Sequence, residues 1–171
     1  MASGGGGAGL GESAINPTAY PSILKLSRVT DVGQPALSGV VANVQYESME
    51  WINGDGGFAS VDMVTGFITI LIDGWYDIFQ TLNYAAGSGS GARTCYFGLG
   101  NTPPPNELPE PAGVIVQPGN SLSPVEIECT GKAVRFNAGD VIQPRVYQDS
   151  GVTITLLSTP YTPNCTVQRV G

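Results

Sequence analysis

Paired acids are the first feature of this chain that could do chemistry. Asp73 and Asp77 flank a turn signal, and Glu126 and Glu128 alternate onto one face of a single stretch. Two carboxylates held across a sugar ring would serve glycoside hydrolysis. Same-face acids on a strand near a sheet edge more often keep that edge soluble, and that is the reading taken for both pairs. Three thiols, Cys95, Cys129 and Cys165, are widely spaced, and the chain has no histidine. This removes the Ser/His/Asp triad, the usual base for a cysteine nucleophile and the common zinc patterns. The cysteines therefore read as buried thiols in strands, with no close pair and no chemical role. Asp55 in Asn53-Gly54-Asp55-Gly56-Gly57 is one acid in a loop, too few ligands for calcium, and reads as a plain turn. Gly4 to Gly7 lack the Gly-Lys-Ser/Thr ending and the preceding strand of a phosphate loop. No catalytic residue, no cofactor and no metal site is expected, and the chain reads as a non-enzyme.

Charge narrows the partners. The net charge is −7, with only seven Lys plus Arg, scattered rather than clustered. Displacing phosphate counterions needs clustered cations, so no nucleic-acid partner is expected. The same dispersion argues against an anionic membrane surface, and no apolar run approaches the ~20 residues that span a bilayer. The first residues show no basic stretch followed by an apolar one, so no secretory signal is expected.

The elements that must position these residues are strands. Charged residues are 12% of the 171, while Gly (24) and Pro (13) are abundant, a mixture that suits short strands and tight turns over long helices. Residues 1–38 read as a flexible, extended N-terminal arm: the glycine-rich run 1–14 first, then Pro17, Pro21 and Pro35 around a sticky segment. Tyr20, Ile23, Leu24 and Leu26 are its candidate partner-binding residues, because they are costly to leave in water. Residues 39–171 read as the folded domain. Strand patterns run over Val40–Glu47, Gly66–Ile72, Trp75–Tyr84, Thr94–Leu99, Val114–Val116, Pro124–Cys129, Ala133–Phe136, Val141–Gln148, Val152–Leu157 and Thr166–Val170. In Trp75–Tyr84, Tyr76, Ile78, Leu82 and Tyr84 alternate against Asp77, Thr81 and Asn83, and Asp73-Gly74 before it reads as a hairpin-type turn. About eight to ten strands at this spacing, with no helix, place the chain among all-β sandwiches and barrels.

Two motifs sharpen this. Gly74-Trp75-Tyr76-Asp77-Ile78 follows an apolar strand, and Phe136-Asn137-Ala138-Gly139-Asp140-Val141-Ile142 leads into Val146-Tyr147-Gln148. In order and spacing they resemble signatures of jelly rolls of the complement/tumour-necrosis-factor-like superfamily, with Val152–Leu157 where that fold closes. Gly74 is expected as a structural turn with positive φ, Gly139 as the turn residue that lets the chain reverse, and Asp140 as a turn residue bonding local amides. The resemblance implies a jelly-roll β-sandwich assembling as a homotrimer. Such domains also recur in tailed-phage virions as head decoration, head fibre or tail-tip proteins. The low charge and the glycine-rich arm are similar to those, whereas the collagen-like stalk of secreted complement-type members is absent.

Together these readings give a capsid decoration or accessory protein that binds a phage particle as a trimer, located in the virion, with itself and other virion proteins as partners. The alternatives are a tail-tip protein that binds a receptor or a host surface glycan, and a secreted cytokine-like trimeric ligand. Among the aromatics, Trp51 beside its glycine-rich loop is the expected exposed recognition residue.

Overall fold

A computed structural model of the chain describes residues 21–29, 33–53, 57–86, 91–100, 106–107, 117–118, 124–158 and 163–171. Among them lie strands and no helix. In chain order the strands are β1 (Ile23–Ser27), β2 (Gln34–Ala36), β3 (Ala42–Asn43), β4 (Ser48–Ile52), β5 (Ala59–Asp62), β6 (Phe67–Ile70) and β7 (Gly74–Tyr84). They continue as β8 (Ala92–Leu99), β9 (Asn106–Glu107), β10 (Gln117–Pro118), β11 (Val125–Phe136), β12 (Val141–Gln148), β13 (Ile154–Leu156) and β14 (Asn164–Arg169). Two 7-stranded antiparallel sheets form. One runs β2-β13-β7-β14-β1-β4 with β11 on the other side of β7, and the second runs β10-β8-β12-β6-β5 with β3 on β12 and β9 on β8. This is the jelly-roll sandwich that the sequence implies.

Alternation builds the core. Ile68 and Ile70 of β6, Tyr76, Ile78, Leu82 and Tyr84 of β7, Phe97 of β8 and Ile142 and Val146 of β12 all turn inward and are buried. Side chains on a strand alternate between faces, so each contributes every second residue. Val44 and Tyr46 are buried as their spacing implies, although the strand expected over Val40–Glu47 is reduced to β3. Leu71 and Ile72 are exposed, so the strand expected over Gly66–Ile72 ends at Ile70. The expected strands Pro124–Cys129 and Ala133–Phe136 are one strand, β11, with a bulge between Gly131 and Val134 where Ala133 takes φ 50. The expected strand Val114–Val116 lies outside the described residues.

Two turns decide the motifs. Gly139 has φ 94, and the Asp140 carboxylate accepts the Asn137 N–H at 2.8 Å, so this turn behaves as expected. Gly74 is a glycine for another reason. It is extended, not left-handed, and a Cβ there would stand 2.6 Å from the Gly171 carbonyl oxygen and 2.9 Å from Arg169 Nε. Nor does Asp73-Gly74 close a hairpin. β6 and β7 belong to different sheets, so the residues between them carry the chain across the sandwich. The Tyr76 hydroxyl donates to the Ile72 carbonyl at 2.6 Å, and Asp73 Oδ1 accepts the Ala138 N–H at 2.6 Å, which fixes the crossing.

The boundary expected at residue 38 does not coincide with the fold. β1 is an internal strand, pairing β14 on one edge through Leu24–Val167 and β4 on the other through Leu24–Trp51. Leu24 and Leu26 are 0% exposed in the chain's own core, and Ile23 lies on the opposite face, partly buried. Arg28 then locks the end of β1. It donates to the Gln45 carbonyl at 2.6 Å and forms an ion pair with Glu47 at 3.2 Å. β2 closes on β13. The physical reason is that a short apolar stretch with alternating burial satisfies its backbone most completely inside a sheet. Tyr20 and residues 1–14 lie outside the described residues.

The consequence for stability is that β1 and β2 cannot be removed as a separate arm. Leu24→Ala or Leu26→Ala should cost about 2–5 kcal/mol in urea unfolding, as for large-to-small changes at buried sites. Removing residues 1–38 should leave no cooperative unfolding transition, because β14 and β4 lose the strand between them.

Candidate assembly face

The acids of the sequence motifs hold the backbone. Asp73 is on the Ala138 amide, and Asp77 Oδ1 accepts the Ala133 N–H at 2.8 Å, pinning the β11 bulge. Glu126 and Glu128 are exposed on β11, opposite Asn83 and Thr81 of β7. Asp55 lies outside the described residues. Among the described residues no grouping of three or more Cys, Asp or Glu is placed to hold a metal ion.

The cysteines meet in one layer, which their spacing did not reveal. Register places Cys129 of β11 and Cys165 of β14 on either side of Gln80 in β7, and Cys129 Sγ lies 3.5 Å from Gln80 Oε1. Cys95 faces them from β8, beside Cys129. All three are free and buried, as expected, but Cys95 and Cys129 are neighbours. Burial pushes the Cys129 and Cys165 thiols well above the ordinary thiol range, with the neighbouring thiols adding to the effect at Cys129. Burial does the same to the hydroxyls of Tyr46 and Tyr84. Burial therefore favours the neutral form of these four groups.

The outward face of the β7 sheet is different. Opposite the core row, β7 carries Asp77, Phe79, Thr81 and Asn83, of which Thr81 and Asn83 are buried, flanked by Thr130 of β11 and by Thr166 and Gln168 of β14. Phe79 is the apolar member of that β7 row, set between Thr130 and Thr166. Around it lies a groove of ≈ 370 Å³ lined by Asp77, Phe79, Thr130, Lys132, Thr166 and Gln168. The bulge at Gly131–Val134 turns Lys132 to its rim, since an extra residue in one strand re-aims the side chains beside it. Apart from Asp77 and Lys132, of opposite sign, the lining is neutral. Among the described residues β11 pairs with β7 alone, so its other edge adjoins this face without a strand partner.

The other candidate positions fall elsewhere. Trp51 is less exposed than its glycine-rich neighbourhood implies. It is partly buried, and its ring packs on Phe58 edge-to-face at 5.1 Å, starting a chain of aromatics through Tyr76 to Phe136. The tryptophan that reaches solvent is Trp75, 49% exposed. Phe79 was missed, yet a signal for it existed: it sits in phase with Asp77, Thr81 and Asn83, an aromatic in a polar row.

Comparisons with known proteins agree with the architecture. The structure of Eiger TNF from S. frugiperda is similar with a TM-score of 0.56 and 13% identity, over 89% of this chain and 94% of that one. The crystal structure of murine APRIL at pH 5.0 is similar with a TM-score of 0.60 and 11% identity, over 88% of this chain and 100% of that one. The shared property at such identities is the fold, a tumour-necrosis-factor-like jelly roll. No protein-family model matches the chain, and no curated protein sequence matches it.

The thiol layer gives a pH prediction. Cys129 and Cys165 have folded-state pKa values raised above their unfolded ones. Their contribution is fully present below the unfolded thiol pKa of about 8.5 and is lost as pH rises above it, because only the unfolded chain then releases these protons. Stability from urea unfolding should be flat between pH 6 and 8. It should then fall with a limiting slope of about 1.4 kcal/mol per pH unit for each thiol. Cys129→Ala with Cys165→Ala should flatten that fall below pH 9.5.

Proposed function

We propose that this chain is one subunit of a homotrimeric binding protein that acts by presenting surfaces to a protein partner and carries out no catalysis. The observation that carries this reading is the groove at Phe79: a neutral face with an aromatic at its centre, beside a strand edge with no partner among the described residues. A face and an edge are unlike surfaces. Unlike surfaces that meet head-to-tail close into a ring when the rotation allows it, and a threefold ring uses each once per subunit. A stable interface of this kind buries about 800 Å² per partner. That is more than the groove alone offers, so the neighbouring polar rows of β11 and β14 would be drawn in.

The finer reading best supported is a trimeric ligand of the tumour-necrosis-factor type. It is favoured by likeness to Eiger TNF and to murine APRIL along nearly the whole chain. Attachment to a phage particle in the virion is a second reading, favoured by one end of the sandwich. There Leu71, Ile72, Trp75 and Val170 are 48%, 41%, 49% and 45% exposed, and the Trp75 and Val170 backbones bond to each other. β1 begins at this same end, with Ile23 opposite Gln168, so the glycine-rich residues 1–14 precede the strand that starts there.

Native mass spectrometry at micromolar concentration should give a trimer. Phe79→Asp should give a monomer with an unchanged far-ultraviolet spectrum. A monomeric wild type, or a trimeric Phe79→Asp protein, contradicts the assembly. The two finer readings part on a second test. Trp75→Asp with residues 1–20 removed should keep the trimer in either case. It should abolish co-sedimentation with a phage particle only if that end is the attachment surface.

A further inference from the structure

At the opposite end of the sandwich lies a charge that nothing described neutralises. Arg93 is one residue inside β8, opposite Gln148 of β12 and Gln117 of β10. By alternation its side chain shares the inward face with Cys95 and Phe97. It is 0% exposed and among the largest fully buried side chains of the described residues. None of its three guanidinium nitrogens has a hydrogen-bond partner.

A guanidinium does not deprotonate in a protein, so burial cannot be relieved by losing the charge. Five donors withdrawn from water with no acceptor carry a large free-energy cost, and buried charges are accordingly paired. The neighbouring acceptors are engaged elsewhere. The Gln148 Oε1 takes the Ser150 N–H and hydroxyl, while its Nε2 donates to the Ala36 and Val152 carbonyls. The Tyr84 hydroxyl is on the Thr94 and Tyr147 carbonyls, and Asp149 Oδ1 takes the Ala92 N–H. Two acids adjoin this end in sequence, Asp149 after Gln148 and Asp31 between β1 and β2, and neither bonds a guanidinium nitrogen of Arg93. The connections from β7 to β8, β10 to β11 and β13 to β14 span residues 85–91, 119–124 and 157–163, and contain no Asp or Glu.

We propose that Arg93 is the anchor of an anion-binding site that takes a carboxylate or a comparable oxyanion at the end of the sandwich away from Trp75. A guanidinium fork matches a carboxylate through two parallel hydrogen bonds, the geometry best suited to a buried pair. The carboxylate comes either from a small molecule or from an acidic side chain of a second copy. This site is separate from the Phe79 face, so its failure and that of the trimer are read independently.

The test follows the Nε–Hε resonance of Arg93 in 15N-labelled full-length protein, identified by its loss in Arg93→Lys. Sodium acetate and sodium phosphate are titrated at constant ionic strength against chloride. A saturable shift, together with a rise in melting temperature that is at least tenfold less sensitive to the anion in Arg93→Lys and Arg93→Met, establishes a small-molecule site. If the resonance ignores added anions but moves on dilution through subunit dissociation, a second copy supplies the carboxylate. A resonance unmoved by acetate, phosphate and dilution overturns the proposal. So does one moved only by Asp149→Asn or Asp31→Asn, either of which would make Arg93 an internal ion pair.

Discussion

A strand bonded along both edges has to dispose of its two faces separately, and β7 does so residue by residue. Tyr76, Ile78, Gln80, Leu82 and Tyr84 enter the sandwich, while Trp75, Asp77, Phe79, Thr81 and Asn83 leave it. β11 takes one edge along its whole length, and β14 and then β13 share the other. Because the side-chain period is two, a slip of one residue in β7 would reverse both rows at once. The core, the thiol layer around Gln80 and the Phe79 groove are therefore consequences of one register. The register is pinned at its start, where a residue larger than Gly74 would strike the Gly171 carbonyl, and at Asp77, which holds the β11 bulge.

Among the buried polar side chains, Gln80 and Arg93 stand apart. Gln80 stands among Cys129, Cys165 and Tyr46 at mid-height, and Arg93 is buried near one end. The first costs less, because its groups are neutral, although Gln80 Nε2 and the Tyr46 hydroxyl are buried without a hydrogen-bond partner. The second differs in kind, since its charge cannot be shed. A fold that can close on Ile, Val, Phe and Tyr has no need of a guanidinium for packing alone, so the chemistry around Arg93 is where specificity beyond the fold is to be sought.

The surfaces divide along the same axis. One end carries the exposed Leu71, Ile72, Trp75 and Val170 and lies where β1 begins. The other lies above Arg93, and the Phe79 groove occupies the face between. A jelly roll with its assembly face on one sheet keeps both ends free for partners.

The all-β class, the inward row of β7, the Asn137–Asp140 turn and the burial of the cysteines were legible in the chain. Each follows from composition, from a period of two or from local turn chemistry, over distances of a few residues. What tertiary structure decided concerns partners. Leu24 and Leu26 look like the sticky part of a tail until Val167 and Trp51 appear on either side of them. Trp51 looks exposed beside its glycines until Phe58 covers its ring. The three thiols look isolated until the sheets bring Cys95 to Cys129 and set Cys165 across Gln80. Alternation specifies which face a residue belongs to, but not which distant strand will lie beside it. That choice is made by the mutual fit of whole sheets, so no local stretch of sequence contains it.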